Sequence, residues 1–178
     1  MKRSTFFIVM VFCMMGIINA QEKKLSSDFG MGFQVSQYQK DFGIGINMTS
    51  PYFAHSRIAV RLRGNFMYYE HVKSEETTWS PYSNASLGLV VASGTAGDFI
   101  RLYGEGGIIV LFPSSEFSSD DFAFGGYGLF GFEFYMTNRH NYFIEIGGGG
   151  TGATADKIQT KPIYSNGLLI METGIRLV

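Results

Sequence analysis

Residues 122–136 read FAFGGYGLFGFEFYM. Counted in twos, Phe122, Phe124, Phe130, Phe132 and Phe134 share one parity with Gly126 and Gly128, whereas Ala123, Gly125, Tyr127, Leu129, Gly131, Glu133 and Tyr135 share the other. A period of two sends alternate side chains to opposite faces of a strand. One face therefore carries five phenylalanines, and the other carries a glutamate among small residues and tyrosines. Which solvent rewards such a pairing decides the fold.

The same alternation recurs along the chain, and no stretch beyond the N-terminal segment shows a helical period. Phe29, Met31, Phe33 and Val35 alternate with Gly30, Gly32, Gln34 and Ser36, and Phe42, Ile44, Ile46 and Met48 with Gly43, Gly45 and Asn47. Further on, Ile58, Val60, Leu62 and Phe66 oppose Arg61, Arg63 and Asn65, and Ala85, Leu87, Leu89 and Val91 oppose Asn84, Ser86 and Gly88. Ile100, Leu102, Ile108 and Val110 oppose Arg101, Tyr103, Glu105 and Gly107. Beyond the opening stretch, Tyr142, Ile144 and Ile146 oppose Phe143 and Glu145, and Met171, Ile175 and Leu177 oppose Glu172, Gly174 and Arg176. Eight strands are predicted, joined by a tight QKD turn and by turn-rich connections at 50–56, 70–78, 93–97, 113–120, 137–140 and 150–162. With the N-terminus periplasmic, the connections after strands three, five and seven would be extracellular.

The placement of charge sets the sidedness. Arg61, Arg63, Arg101, Glu105, Glu133, Glu145, Glu172 and Arg176 all sit mid-strand on the parity opposite the large apolar residues, four cations against four anions. Every lysine beyond the N-terminal segment lies in a tail, turn or loop. A soluble barrel would need many solvated strand residues on its outer face, whereas this polar face is mostly glycine, a few amides and hydroxyls, and eight charges that cancel. That inventory suits a narrow interior charge network, in which arginine serves better than lysine because its planar fork pairs with carboxylates. The apolar face, Phe122, Phe124, Phe130, Phe132 and Phe134 included, is expected to face lipid. Backbone groups in hydrocarbon have no water to bond, so the sheet must close. The predicted fold is all-β, an eight-stranded antiparallel up-and-down transmembrane β-barrel. Tyr52, Tyr68, Tyr69, Trp79, Tyr82, Tyr142 and Tyr164 fall near strand ends, where aromatic girdles belong. Simple hairpin registers place Arg101 opposite Glu133, Glu133 opposite Glu145, and Arg63 level with Glu105.

The chain opens MKRSTFFIVMVFCMMGIINAQEKK, the basic, apolar and small-residue order of a secretory signal peptide, with cleavage expected after Ala20. Residues 1–20 are thus expected to be the signal and residues 21–178 the barrel domain. The only cysteine, Cys13, lies in the signal, so no disulfide or thiol chemistry is expected in the mature chain. A net charge of −1 offers no basic field for nucleic acid. Aromatic residues make up 16% and charged residues 16% of the chain, with 23 glycines against 4 prolines, a composition opposed to disorder.

Motifs for chemistry fail on context. Gly126, Gly128 and Gly131 match GxGxxG, yet they lie inside a strand with no helix after them, and Ala153 follows Gly147–Gly152 where a phosphate loop has lysine. His55, His71 and His140 are spread over three connections without metal-ligand spacing and read as surface residues. The one local cluster of catalytic types is His71 with Glu70, Ser74, Glu75 and Glu76. No cofactor, metal or catalytic residue is expected.

The segments NMTSPYFAHSRIAVRLRGNF (47–66), GDFIRLYGEGGIIVLFPSSEF (97–117), FAFGGYGLFGFEFYM (122–136) and GATADKIQTKPIYSNG (152–167) resemble the small outer-membrane β-barrels of the OmpA/OmpX type, and more closely those of Bacteroides-type bacteria. The resemblance implies a Gram-negative outer-membrane location, membrane lipid and the barrel assembly machinery as partners, and a structural or surface-interaction role without catalysis. Such barrels usually end in an aromatic residue, whereas this sequence ends Arg176-Leu177-Val178. A narrow porin-like pore, a lipid A acyl-modifying enzyme and a soluble periplasmic ligand-binding barrel are the alternatives.

Overall fold

The computed structural model describes residues 28–73, 76–96, 99–137, 140–165 and 167–177; the expected signal peptide and its cleavage site lie outside them. Eight strands form: β1 (Gly30–Tyr38), β2 (Asp41–Thr49), β3 (Ile58–Lys73), β4 (Glu76–Ala96), β5 (Ile100–Phe112), β6 (Ala123–Tyr135), β7 (His140–Gly150) and β8 (Gly167–Leu177). Each pairs antiparallel with its neighbour in sequence, and β8 returns to β1, from Met31 opposite Leu177 to Tyr38 opposite Ile170. The sheet is thus a closed up-and-down barrel with no free edge along its wall. Eight strands leave an interior just wide enough for side chains to fill.

The wall obeys the alternation. Along β1 and β2 the residues are buried and exposed in turn, with Gln34, Ser36 and Asn47 inside and Phe33, Ile44 and Ile46 outside. Phe124 is 64% exposed; Phe122, Phe130 and Phe132 are exposed too, and Phe134 is half-buried against Tyr142. Glycine on the inner parity makes room for long side chains: a Cβ on Gly131 would run into the Tyr103 ring, and one on Gly45 into Asn65.

Three expectations change. First, β3 continues through 70–73 and β4 begins at 76, where a loop was expected over 70–78. β2 pairs with β3 only as far as Tyr68, and β5 reaches β4 only from Ser83, so the hairpin tip Tyr69–Tyr82 stands beyond the rim and pairs with itself alone. Its polar residues mimic a loop, but inner His71 and Ser80 still alternate with outer Val72 and Trp79. Likewise β4 continues through 93–96, with a register shift between Ala92 and Thr95. Second, Arg101 does oppose Glu133, but Glu133 faces Phe143 and Glu145 faces Gly131. The β6–β7 turn is pinned where Thr137 Oγ1 accepts from His140 N at 3.0 Å, which moves the pairing by two residues and leaves parity untouched. Third, Tyr69, Tyr82 and Tyr164 are buried inside, and half-buried Tyr52 stacks on Arg101, so they are no part of an outer girdle. For Tyr69 and Tyr82 inner parity overrides closeness to a strand end, whereas Tyr52 and Tyr164 come from connections folded over the two mouths.

Outside, an aromatic cluster remains: Phe42 lies against Tyr68 (5.4 Å between centroids) and edge-on to Trp79 (5.2 Å), with Phe66 beside Tyr68. At that same end of the barrel lie the β1–β2 turn and the loops 113–122 and 151–165.

Candidate functional site

The eight charged side chains named from the sequence are all buried within the barrel: Arg61, Arg63, Arg101, Glu105, Glu133, Glu145, Glu172 and Arg176. They come from β3, β5, β6, β7 and β8, and antiparallel closure aims them at a shared axis. Arg63 lies at the centre of one group. Its Nη2 reaches Glu105 and its Nη1 reaches Glu145 at 2.6 Å and also Glu172. Glu145 and Glu172 face each other across β7 and β8, a repulsive pairing that this one nitrogen bridges. Arg61 Nη1 joins the group, 2.7 Å from Glu105 and 2.8 Å from Glu145.

Tyrosine hydroxyls complete it. Tyr127 donates to Glu105 at 2.7 Å, Tyr38 to Glu172 at 3.2 Å, and Tyr103 to Glu145. Gln34 and Ser36 add further donors to Glu172. A carboxylate removed from water holds its charge only when its lone pairs are met, and these are. The second group, toward the end that carries the loop 50–57, centres on Glu133, which accepts from Arg101 and Arg176 and from the Tyr135 hydroxyl at 3.1 Å. Arg101 stacks over Tyr52, 4.3 Å from its centroid, and Arg176 over Phe143 at 4.6 Å.

The opposite mouth is roofed. Phe117 from the loop 113–122 is 0% exposed and packs among Tyr69, Tyr82 and Tyr164. The loop 151–165 lies over it, with Lys157 N donating to Phe117 O at 3.1 Å and Ser118 Oγ to Thr154 O at 3.1 Å. Asp156 accepts from the Ser119 amide at 2.7 Å and from its hydroxyl, bonds that hold this exposed carboxyl below the ordinary aspartate range. Asp41, at the foot of β2, takes the Ser165 amide at 3.1 Å and the Tyr82 hydroxyl at 2.9 Å, tying the roof to the wall. Beside the roof lies a groove of about 570 Å3, with Lys40, Glu70, Val72 and Ile163 along it and His71 and Tyr164 below.

His71 is buried in the strand and is not the surface residue that its polar surroundings in the sequence suggest. Among the described residues it bonds neither Glu70 nor Glu76; Ser74 and Glu75 lie outside them. Its Nε2 stands 3.0 Å from Ser80 Oγ, which donates to Glu116 at 2.6 Å. A serine whose proton goes to a carboxylate is not activated by the histidine, so this line is a structural tie and not a nucleophile with its base. Among the described residues no group of three metal-ligating side chains forms.

Comparison with known proteins rests on shape. No protein-family model matches the sequence, and no curated protein does. Among solved structures, the N-terminal β-barrel domain of OprF from Pseudomonas aeruginosa superposes with a TM-score of 0.55 at 13% identity, covering 85% of this chain and 97% of that one. The fold is that of an outer-membrane β-barrel. Ail, the attachment invasion locus protein of Yersinia pestis, superposes with a TM-score of 0.47 at 10% identity, over 84% of this chain and 95% of that one.

Proposed function

We propose that the chain is an integral outer-membrane barrel protein of a Gram-negative bacterium, with a plugged, ion-paired interior and a structural or surface-interaction role. The observation that carries this reading is sidedness. Phe33, Ile46, Leu89, Ile108 and Phe124 stand exposed around the wall while every mid-strand charge is buried. In water that arrangement inverts the hydrophobic effect, and in a bilayer it satisfies it. Closure leaves no unpaired backbone edge for hydrocarbon, and strands of 9 to 21 residues suffice to span when tilted. Membrane lipid and the barrel assembly machinery are then its partners.

With both ends of the chain toward the periplasm, the roofed mouth and the projecting β3–β4 hairpin face the outside, where the groove beside Lys40 and Glu70 is the surface offered for contact. Fractionation tests the location: the mature chain should sediment with outer membranes and require detergent for release. Recovery from the periplasm without detergent overturns the reading.

A further inference from the structure

The interior charges cancel in sum but not in place. Around Arg61 and Arg63 stand three carboxylates, whose remaining lone pairs accept hydrogen bonds from Tyr38, Tyr103, Tyr127, Ser36 and Gln34. Around Glu133 the surplus is positive, because Arg101 and Arg176 share this single carboxylate. Arg61 Nη2 points at the same group, 3.9 Å from Glu133 Oε1.

Within hydrogen-bond reach, nothing among the described residues answers that positive surplus. Arg61 Nη2, Arg101 Nη1 and Arg176 Nη2 are each buried without a hydrogen-bond partner. The other nitrogens are taken: Arg61 Nε by Thr49 at 2.9 Å, Arg176 Nε by Asn47 at 3.2 Å, and Arg101 Nη2 by Tyr52 at 2.7 Å as well as by Glu133. The rings of Tyr103, Tyr52 and Phe143 lie over the three guanidinium groups and hold their planes. Thr95 and Asn141, the cross-strand neighbours of Arg101 and Arg176, carry buried oxygens that are also unpartnered. Those oxygens are neutral. They can accept a hydrogen bond but offset no charge, and a buried charge left uncompensated is strongly unfavourable.

We propose that this end of the lumen is a binding site for one small monovalent anion of chloride size, held by the free guanidinium N–H groups of Arg61, Arg101 and Arg176. One negative charge balances two cations against one carboxylate. The narrow interior of an eight-stranded barrel admits only a small ion.

The test uses the purified full barrel in detergent, with sodium and ionic strength fixed and the anion varied among chloride, bromide and gluconate. The unfolding midpoint should rise saturably with chloride and bromide but not with gluconate, as for a ligand that binds only the folded state. Crystals grown in bromide should show its anomalous signal within hydrogen-bond distance of Arg101 and Arg176. Asn141→Asp places a carboxylate beside Arg176 and should abolish the chloride dependence in a barrel that still folds. Equal midpoints in chloride and gluconate, bromide found only at the surface, or an Asn141→Asp barrel that keeps the dependence would each overturn the proposal.

Discussion

Phe117 and Tyr164 meet edge to face across the mouth of the barrel, 4.9 Å between ring centroids, although they belong to different loops. Each is buried as deeply as a core residue. Phe117→Ala should therefore do two things at once: destabilise the roof by about 3 kcal/mol, as emptying a phenylalanine site does, and open a path toward the charged interior. Denaturant unfolding and planar-bilayer conductance, run on the same preparation, check both. A conductance equal to that of the wild type would show that the passage is blocked deeper, by the ion pairs.

Arg63 holds Glu105, Glu145 and Glu172. Arg63→Leu leaves Glu105 and Glu145 with Arg61 as their one paired cation, leaves Glu172 with no ion pair among those described, and should destabilise the barrel by about 3–5 kcal/mol, the usual consequence of removing one member of a buried charge group. Urea titration followed by the heat-dependent shift of the folded band on gels reads it.

The outer wall provides a sharper discriminator. Leu89 is exposed near the middle of β4. In water, Leu89→Arg would change stability by no more than about 0.5 kcal/mol. In a bilayer the same change should cost about 2–4 kcal/mol if Leu89 lies near the midplane. Equilibrium unfolding from lipid vesicles makes the measurement.

Gly88 faces the interior, where an added Cβ would strike the Tyr127 hydroxyl and come within 3.1 Å of Glu105 Oε1. Gly88→Ala should displace Tyr127 from its bond to Glu105 and cost about 1–3 kcal/mol, as overpacking does. The ultraviolet signature of a tyrosine hydroxyl that has lost its carboxylate partner would accompany it.

The clasp between the two roof loops depends on pH. Asp156 is held below the ordinary aspartate range by the Ser119 amide and hydroxyl. A depressed carboxyl stabilises the folded form above its unfolded value and loses that contribution as pH falls through the folded one. Protease cleavage within 113–122 should thus be slow at neutral pH and accelerate in acid below the usual carboxylate range. In Asp156→Asn that acceleration should disappear, with cleavage fast throughout.

Sidedness was legible because the mid-strand charges of β3 and β5 to β8 share the parity opposite most of the large apolar residues, and parity survives errors of register. The Glu133–Glu145 pairing shows how: a turn tightened by Thr137 and His140 shifts the partners by two, and both carboxylates still point inward. Polar inner residues such as Gln34, Asn47 and Asn65 could have been added to the site by the same count. Phe117 could not, since a roof residue in an aperiodic loop carries no repeating signal. His71 and Tyr82 were misplaced for another reason: a strand tip that clears the rim looks like a loop in composition, and only its pairing reveals that it is still wall.

The order of charges along the chain bears on how the barrel is made. Arg61 and Arg63 belong to β3, whereas every acid they meet arrives later, on β5 to β8. A half-threaded chain would carry two bare guanidinium groups with nothing yet to quench them. Entry of the early strands into hydrocarbon is therefore penalised until the last strand has come round, so the wall and its electrical balance must be completed together, which favours delivery as a preassembled ring over strand-by-strand insertion.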